Sequence, residues 1–364
     1  MIGLNKFQLD TPALIIDKEK LITNIKRMQQ FANQHHKSLR PHAKTHKCSD
    51  IAKLQLEYGA IGICTTKVTE ALELAKDGID NLLITSPVIT HQKLKHLEKV
   101  LQLSPNSMVV CDSKANLKQL NELASIIEGK NINLIIDVDA GIGRTGLSFD
   151  NAYQLAIKAN QLPHITLKGI QCYAGHFQHI IDQDLRKQQS QHLLEKAACL
   201  KYKIENATGL NNLIQTGSGT GTYEIDCQIN GVTEIQPGSY TVMDKEYYDI
   251  NYDSDYFLDA MTLITTVISS NSATHVTVDA GLKALYKDPT PPKIISHPEL
   301  KYDWSCFGDE HGKVTGDQLP KAGGIIEMIV PHCDPTINLY DKFFITKNDV
   351  VIDTWKINLR GKCQ

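Results

Sequence analysis

The chain has 364 residues, 41% of them apolar, and its 38 basic and 41 acidic side chains leave a formal net charge of −3. That length supports a large core and two structural units, and charge spread without long like-sign blocks excludes a basic face for nucleic acid or an anionic membrane. Nowhere do about 18 apolar residues run together, so neither a spanning helix nor a signal peptide is predicted, and a soluble cytoplasmic protein is expected. Nine cysteines (Cys48, Cys64, Cys111, Cys172, Cys199, Cys227, Cys306, Cys333 and Cys363) contain no C-x-x-C pair. They predict reduced thiols rather than a disulfide framework or a zinc module.

Helical and strand-like periods alternate from about residue 17. Asp17 is placed to cap a helix in which Leu21, Ile25, Met28 and Ala32 share one face, and Ser113 to cap another carrying Leu117, Leu120, Ala124 and Ile127. Short apolar runs lie between such segments: Leu39 to Ala43, Ala60 to Cys64, Asn81 to Thr85, Met108 to Cys111, Ile132 to Val138, Ile165 to Tyr173, Asn212 to Gln215 and Val232 to Gln236. Eight strand-helix repeats predict an α/β fold, a (β/α)8 TIM-like barrel over residues 17–254. The texture then changes to Thr, Val and Ile runs at Met261 to Ser269, His275 to Val278, Gly324 to Val330 and Lys342 to Ile345. This predicts a C-terminal all-β domain over 255–364, joined by residues 1–16. No internal repeat or low-complexity linker is present.

Barrel chemistry belongs in the loops after strand C-termini, and the unusual residue clusters fall there. Lys44 stands in R-P-H-A-K-T-H-K just beyond the first strand, where the positive charge of Arg40 and His42 is expected to lower its pKa, as Schiff-base chemistry requires. The turn G-S-G-T-G-T-Y from Gly217 to Tyr223 offers close backbone approach and hydroxyl donors. Ser218, Gly219, Thr220 and Gly221 are therefore candidate phosphate contacts. Gly238, Ser239 and Tyr240, after the next strand, are candidates for a second set of donors to the same anion.

These segments resemble the family of low-specificity D-threonine aldolase and metal-dependent D-serine dehydratase, fold-type III pyridoxal-phosphate enzymes related to the amino-terminal domain of alanine racemase. The resemblance runs along nearly the whole chain. It is carried by L-D-T-P-A from Leu9, R-P-H-A-K-T-H-K, D-V-D-A-G-I-G-R-T-G from Asp137, Y-A-G-H-F-Q-H from Tyr173, T-G-S-G-T-G-T-Y, P-G-S-Y-T-V-M-D from Pro237 and P-H-C-D-P-T-I-N-L-Y-D from Pro331.

The resemblance implies that Lys44 forms the Schiff base with pyridoxal 5'-phosphate, that Arg144 lies near the cofactor's phenolate oxygen, and that Tyr173 contacts its pyridine ring. It implies that His179 is the general base, with His176 its local competitor, while Asp309, Glu310 and His311 are not counted among the site residues. His332 and Asp334 are implied to bind a divalent metal (manganese, magnesium, zinc or cobalt). An extended segment would point both side chains to one face, with Cys333 turned away. In this family an aspartate two places after the metal-binding histidine goes with aldolases and a cysteine there with dehydratases, so Asp334 favours retro-aldol cleavage of a β-hydroxy D-amino acid to glycine and an aldehyde. The alternative is β-elimination by a D-serine or D-threo-3-hydroxyaspartate dehydratase. A non-catalytic cofactor carrier or a racemase fits less well, since neither needs a metal. By analogy the protein is expected to be a homodimer.

Overall fold

Asp17 ends one strand and opens the first long helix, Lys18–Gln34: its Oδ1 accepts the amides of Glu19 and Lys20 at 2.9 and 3.0 Å. The helix buries Leu21, Ile25, Met28 and Ala32 along one face. Ser113 likewise caps Lys114–Ile126 through the Asn116 amide. The computed structural model describes residues 1–127, 131–250, 256–304 and 308–364. Eight free cysteines are described, six of them buried, and Cys306 lies outside the described residues. No helix among the described residues is long and apolar enough to cross a membrane.

The chain forms two compact units, one of Met1–Arg27, Thr45–Asp50 and Ser239–Arg360, the other of Met28–Lys44, Ile51–Gly238 and Gly361–Gln364. The expected boundary at 254 and 255 lies outside the described residues.

The second unit holds an eight-stranded parallel sheet of Ser38–Leu39, Ile63–Thr65, Leu82–Ile84, Met108–Cys111, Ile132–Asp137, Ile165–Gln171, Ile214–Gly217 and Glu234–Ile235, separated by helices in the TIM-like pattern. The first strand pairs with the eighth, Leu39 opposite Ile235. The remaining gap closes through the parallel bridge between His42 and Cys64, where Ala43 N–H donates to Cys64 O and Cys64 N–H to Pro41 O, both at 2.8 Å. Cys64, Leu83, Met108, Val110 and Ile135 pack into its core.

The first and eighth strands are only two residues each, and a buried ion pair reinforces them. Arg40 Nε and Nη2 donate to the two Glu234 carboxylate oxygens at 3.0 and 3.2 Å, and Nη1 donates to Asn81 O. Both side chains are almost wholly buried, so removing one partner strands the other charge away from water. Glu234→Ala is expected to destabilise the protein by about 3–5 kcal/mol, read as a lowered denaturant midpoint at unchanged slope. A midpoint within error of the wild type would show that the pair is not needed.

The other unit is built on a nine-stranded, mostly antiparallel sheet. Its main path runs Lys301–Asp303, Gly312–Thr315, His275–Val278, Met261–Ser269, Ala13–Asp17, Lys342–Lys347 and Val350–Lys356, and Ile325–Ile329 and Lys293–Ile294 pair alongside. The N-terminal strand sits inside this sheet, antiparallel to Met261–Ser269 (Ala13 opposite Ile264) and parallel to Lys342–Lys347 (Ile15 opposite Phe344). Leu9, Ala13, Ile15, Ile264, Phe344 and Val351 form an apolar cluster there.

Candidate active site

Lys44 occupies a turn beyond the first barrel strand and is half-buried. Its backbone N–H donates to His42 Nδ1 at 3.3 Å, and His42 Nε2 is 3.3 Å from Thr85 Oγ1. Of the two neighbours expected to act on Lys44, the Arg40 guanidinium is bound to Glu234 and the His42 ring to the Lys44 backbone N–H.

The barrel mouth beside this turn is polar and buried. Asp137 ends the fifth strand, Gln171 the sixth, and Thr216 lies in the seventh. Gln171 Nε2 donates to Asp137 Oδ1 at 2.9 Å and to Thr85 O at 3.2 Å, while Gln236 Nε2 donates to Thr216 Oγ1 at 2.8 Å. Burial pushes the Asp137 carboxyl up to about 6, although Gln171 and Thr145 favour its charged form.

The D-V-D-A-G-I-G-R-T-G segment forms a closed loop over this mouth. Asp139 N–H donates to Leu147 O, Leu147 N–H to Asp137 O, and Asp139 Oδ1 accepts the amides of Gly141 and Gly143. Gly146, at φ +95°, passes so close to Val138 and Asp139 that a Cβ there would lie 2.5 Å from the Asp139 nitrogen. The loop presents Arg144 exposed to solvent, with its guanidinium 5.6 Å from the centre of the Tyr173 ring. Arg144 makes no ion pair among the described residues. The two residues expected to face the cofactor ring thus converge.

The glycine-rich turn follows the seventh strand. Ser218 has φ +71° and a buried hydroxyl turned toward the Asp226 carboxylate, and neither the Ser218 nor the Gly219 amide has an acceptor among the described residues. Buried donors facing no acceptor fit an anion such as a phosphate. Gly221 differs, because its amide donates to Gln178 Oε1 at 2.8 Å. Thr220 is buried beside them.

Gly238 follows the eighth strand, and Ser239–Thr241 forms one 3-10 turn. The buried Tyr240 ring lies 5.6 Å from Phe257. His176 and His179 are both exposed in the turn after the sixth strand, with His176 against Phe177 at 4.0 Å between ring centres. Asp309, Glu310 and His311 lie at the surface, where Glu310 pairs with Lys283.

His332 and Asp334 are not on a strand. His332 is extended (φ −140°, ψ 121°) and precedes the short helix Cys333–Ile337, so Asp334 sits in the first helical turn. The expected strand alternation is corrected here because Pro335 cannot donate to a sheet ladder and is well tolerated at a helix start. Cys333 is fully buried, its N–H donating to Asp244 Oδ2 at 2.9 Å and its thiol 3.5 Å from Asp334 Oδ1. Ser239 Oγ is also 3.5 Å from that oxygen.

The side chains that converge with His332 are Asp244 and Glu246: one ligand atom from each of the three lies within 4.8 Å of the others. Glu246 Oε2 is 3.4 Å and Asp288 Oδ2 3.3 Å from His332 Nδ1. Burial pushes the Asp244 carboxyl up to about 6 against the amides of Cys333 and Tyr247. An imidazole with two carboxylates is a donor set that suits a divalent cation. Sequence reasoning missed Asp244 and Glu246, although their i, i+2 spacing directly after P-G-S-Y-T-V-M was visible. It also missed Gln178, whose only signal was its place between two histidines.

Two family models match the chain: "Alanine racemase, N-terminal domain" over residues 16–246 and "Putative serine dehydratase domain" over residues 260–346. The chain is 36% identical over 360 residues to D-threonine aldolase of Arthrobacter sp, covering 97% of this chain and 93% of that one. It is 32% identical over 371 residues to 3-hydroxy-D-aspartate aldolase of Paracoccus denitrificans, covering 99% and 94%. Among solved structures, D-threonine aldolase from Filomicrobium marinum superposes with a TM-score of 0.94 at 31% identity, over 100% of this chain and 99% of that one. D-threo-3-hydroxyaspartate dehydratase from Delftia sp. gives 0.81 at 22% identity over 97% and 98%, a likeness of fold alone.

Proposed function

Given that this chain belongs to the fold-type III pyridoxal-phosphate family, with the domain pair of the D-threonine aldolases, we propose that it is a carbon-carbon lyase of that type. It cleaves β-hydroxy D-amino acids to glycine and an aldehyde, using pyridoxal 5'-phosphate and a divalent metal. The observation that carries the aldolase reading is the donor set around His332, which offers carboxylates while Cys333 is fully buried with its amide held by Asp244.

When bound, pyridoxal phosphate supplies an electron sink for the bond broken at the α-carbon, and the cation supplies a Lewis acid that acidifies the substrate alcohol. Lys44 supplies the amine that holds the cofactor covalently. Ser218 and Gly219 hold the phosphate, joined in this reading by Thr220, by Gly221 through close approach, and by the segment of Gly238, Ser239 and Tyr240. Arg144 lends positive charge to the phenolate oxygen and Tyr173 lies along the ring. His332, with Asp334 and the neighbouring Asp244 and Glu246, holds the cation. His179, exposed and with an intrinsic pKa near neutrality, takes the proton of the substrate hydroxyl.

A second reading is favoured by the match of residues 260–346 to the serine dehydratase domain: the same residues would direct elimination to an oxo acid and ammonia. Product analysis separates the two. With D-threonine and added manganese, glycine and acetaldehyde are expected in equal amounts. Ammonia and an oxo acid from D-serine, without glycine from D-threonine, would overturn the aldolase reading.

A further inference from the structure

The glycine-rich turn is held in part from outside itself. Ser218 at φ +71° is a conformation that a serine adopts only when its surroundings impose it. The described hydrogen bonds within the turn run back to Gly219 O, from the amides of Thr222 and Tyr223.

What fixes the rest is Gln178, almost wholly buried, from the turn after the sixth strand. Its Oε1 accepts the Gly221 amide at 2.8 Å, and its Nε2 donates to Thr222 Oγ1 at 2.7 Å. The Thr222 hydroxyl in turn donates to Asp226 Oδ2 at 2.6 Å, and Asp226 Oδ1 accepts the Ser190 hydroxyl at 2.6 Å. One amide thus ties a backbone N–H and a side-chain hydroxyl of the turn to a buried carboxylate anchored on the helix Gln183–Thr208. The fit leaves no slack: a Cβ on Gly219 would lie 2.6 Å from Gln178 Oε1, and one on Gly221 2.3 Å from Gln178 O. The two glycines are therefore required by the approach of Gln178 as much as by any ligand.

We propose that Gln178 is a positioning residue for the cofactor's phosphate. It sets the turn so that the unpaired amides of Ser218 and Gly219 face one anion, and it makes no contact with that anion itself. The inference rests on the pyridoxal-phosphate reading above. A fully satisfied buried network of this kind rigidifies the segment it holds, and a preorganised donor set loses affinity when its support is removed.

The test compares two ligands that differ only in the phosphate. Full-length protein stripped of cofactor is titrated calorimetrically with pyridoxal 5'-phosphate and, separately, with pyridoxal. Gln178→Leu is expected to weaken pyridoxal phosphate by about tenfold or more while pyridoxal binding stays at its wild-type value. Thr222→Val, which cuts the same network from the other side, is expected to give the same selective loss. Thr222→Ser, which restores the hydroxyl, is expected to keep wild-type affinity.

Equal weakening of both ligands, or of neither, would overturn the positioning role. Should Gln178→Leu fail to fold, the Thr222→Val and Thr222→Ser pair decides by the same criterion. Wild-type protein that binds the two ligands equally well would instead refute the phosphate site itself, a failure visible before any variant is made.

Discussion

Lys44→Ala is expected to abolish turnover, by on the order of 10⁴-fold in kcat, together with the visible absorbance of covalently held cofactor. Lys44→Arg is expected to do the same, because the guanidinium keeps the charge and lacks a nucleophilic amine. The two variants separate charge from covalency at one position. The nearby Arg40 guanidinium is tied to Glu234, so a loss shared by both variants assigns the effect to the missing amine rather than to charge. Both variants should retain the wild-type melting temperature, since Lys44 is half-buried in a turn rather than packed in the core. Turnover within a factor of a few of wild type in either variant would remove the basis of the proposed chemistry.

His332→Ala is expected to release the bound metal and lower kcat by roughly 10³-fold, measured as metal content after dialysis and as activity with manganese restored. Chelation of the wild-type protein is expected to give the same loss, reversed by added divalent ion. The carboxylates are then compared one at a time as Asp244→Asn, Glu246→Gln and Asp334→Asn. Asp244 and Glu246 converge with His332, whereas Asp334 lies against Ser239 and Cys333. Loss of metal in Asp334→Asn alone would identify the pair His332 and Asp334 as sufficient. Loss in Asp244→Asn with retention in Asp334→Asn would move the ligand set to the observed cluster. Full activity in metal-stripped wild-type protein would refute the metal-dependent reading.

Much of the barrel was legible because its strands are buried apolar runs between amphipathic helices, a pattern that survives even when two strands are only two residues long. Four long β segments after residue 260 were legible for the same reason, and Asp17 and Ser113 announced their helices through capping chemistry. The strand Val350–Lys356 was not. Its burial pattern is mostly exposed, so periodicity gave little, although Asn348 and Asp349, both at positive φ, form the two-residue turn that pairs it with Lys342–Lys347. The placement of the candidate residues was legible where they follow a barrel strand, as Lys44 and the glycine-rich turn do. It was less legible where distant residues meet, since nothing in the spacing of Asp244 and His332 reveals that they share a cluster. The partner of Arg40 was not legible from its neighbours in sequence. Arg40 and Lys44 stand on one short run, yet the arginine answers to Glu234 on another strand.

The N-terminal strand Ala13–Asp17 lies between strands from the last third of the chain, and this bears on how the protein is made. During synthesis the first strand emerges with no partner for its backbone donors and acceptors, and it must wait until the ribosome has delivered Met261–Ser269. The barrel strands, each paired mainly with its neighbour in order, can assemble in the meantime. An interrupted translation product would therefore carry an orphaned, apolar strand at its amino end, a natural target for chaperones and for quality-control proteases.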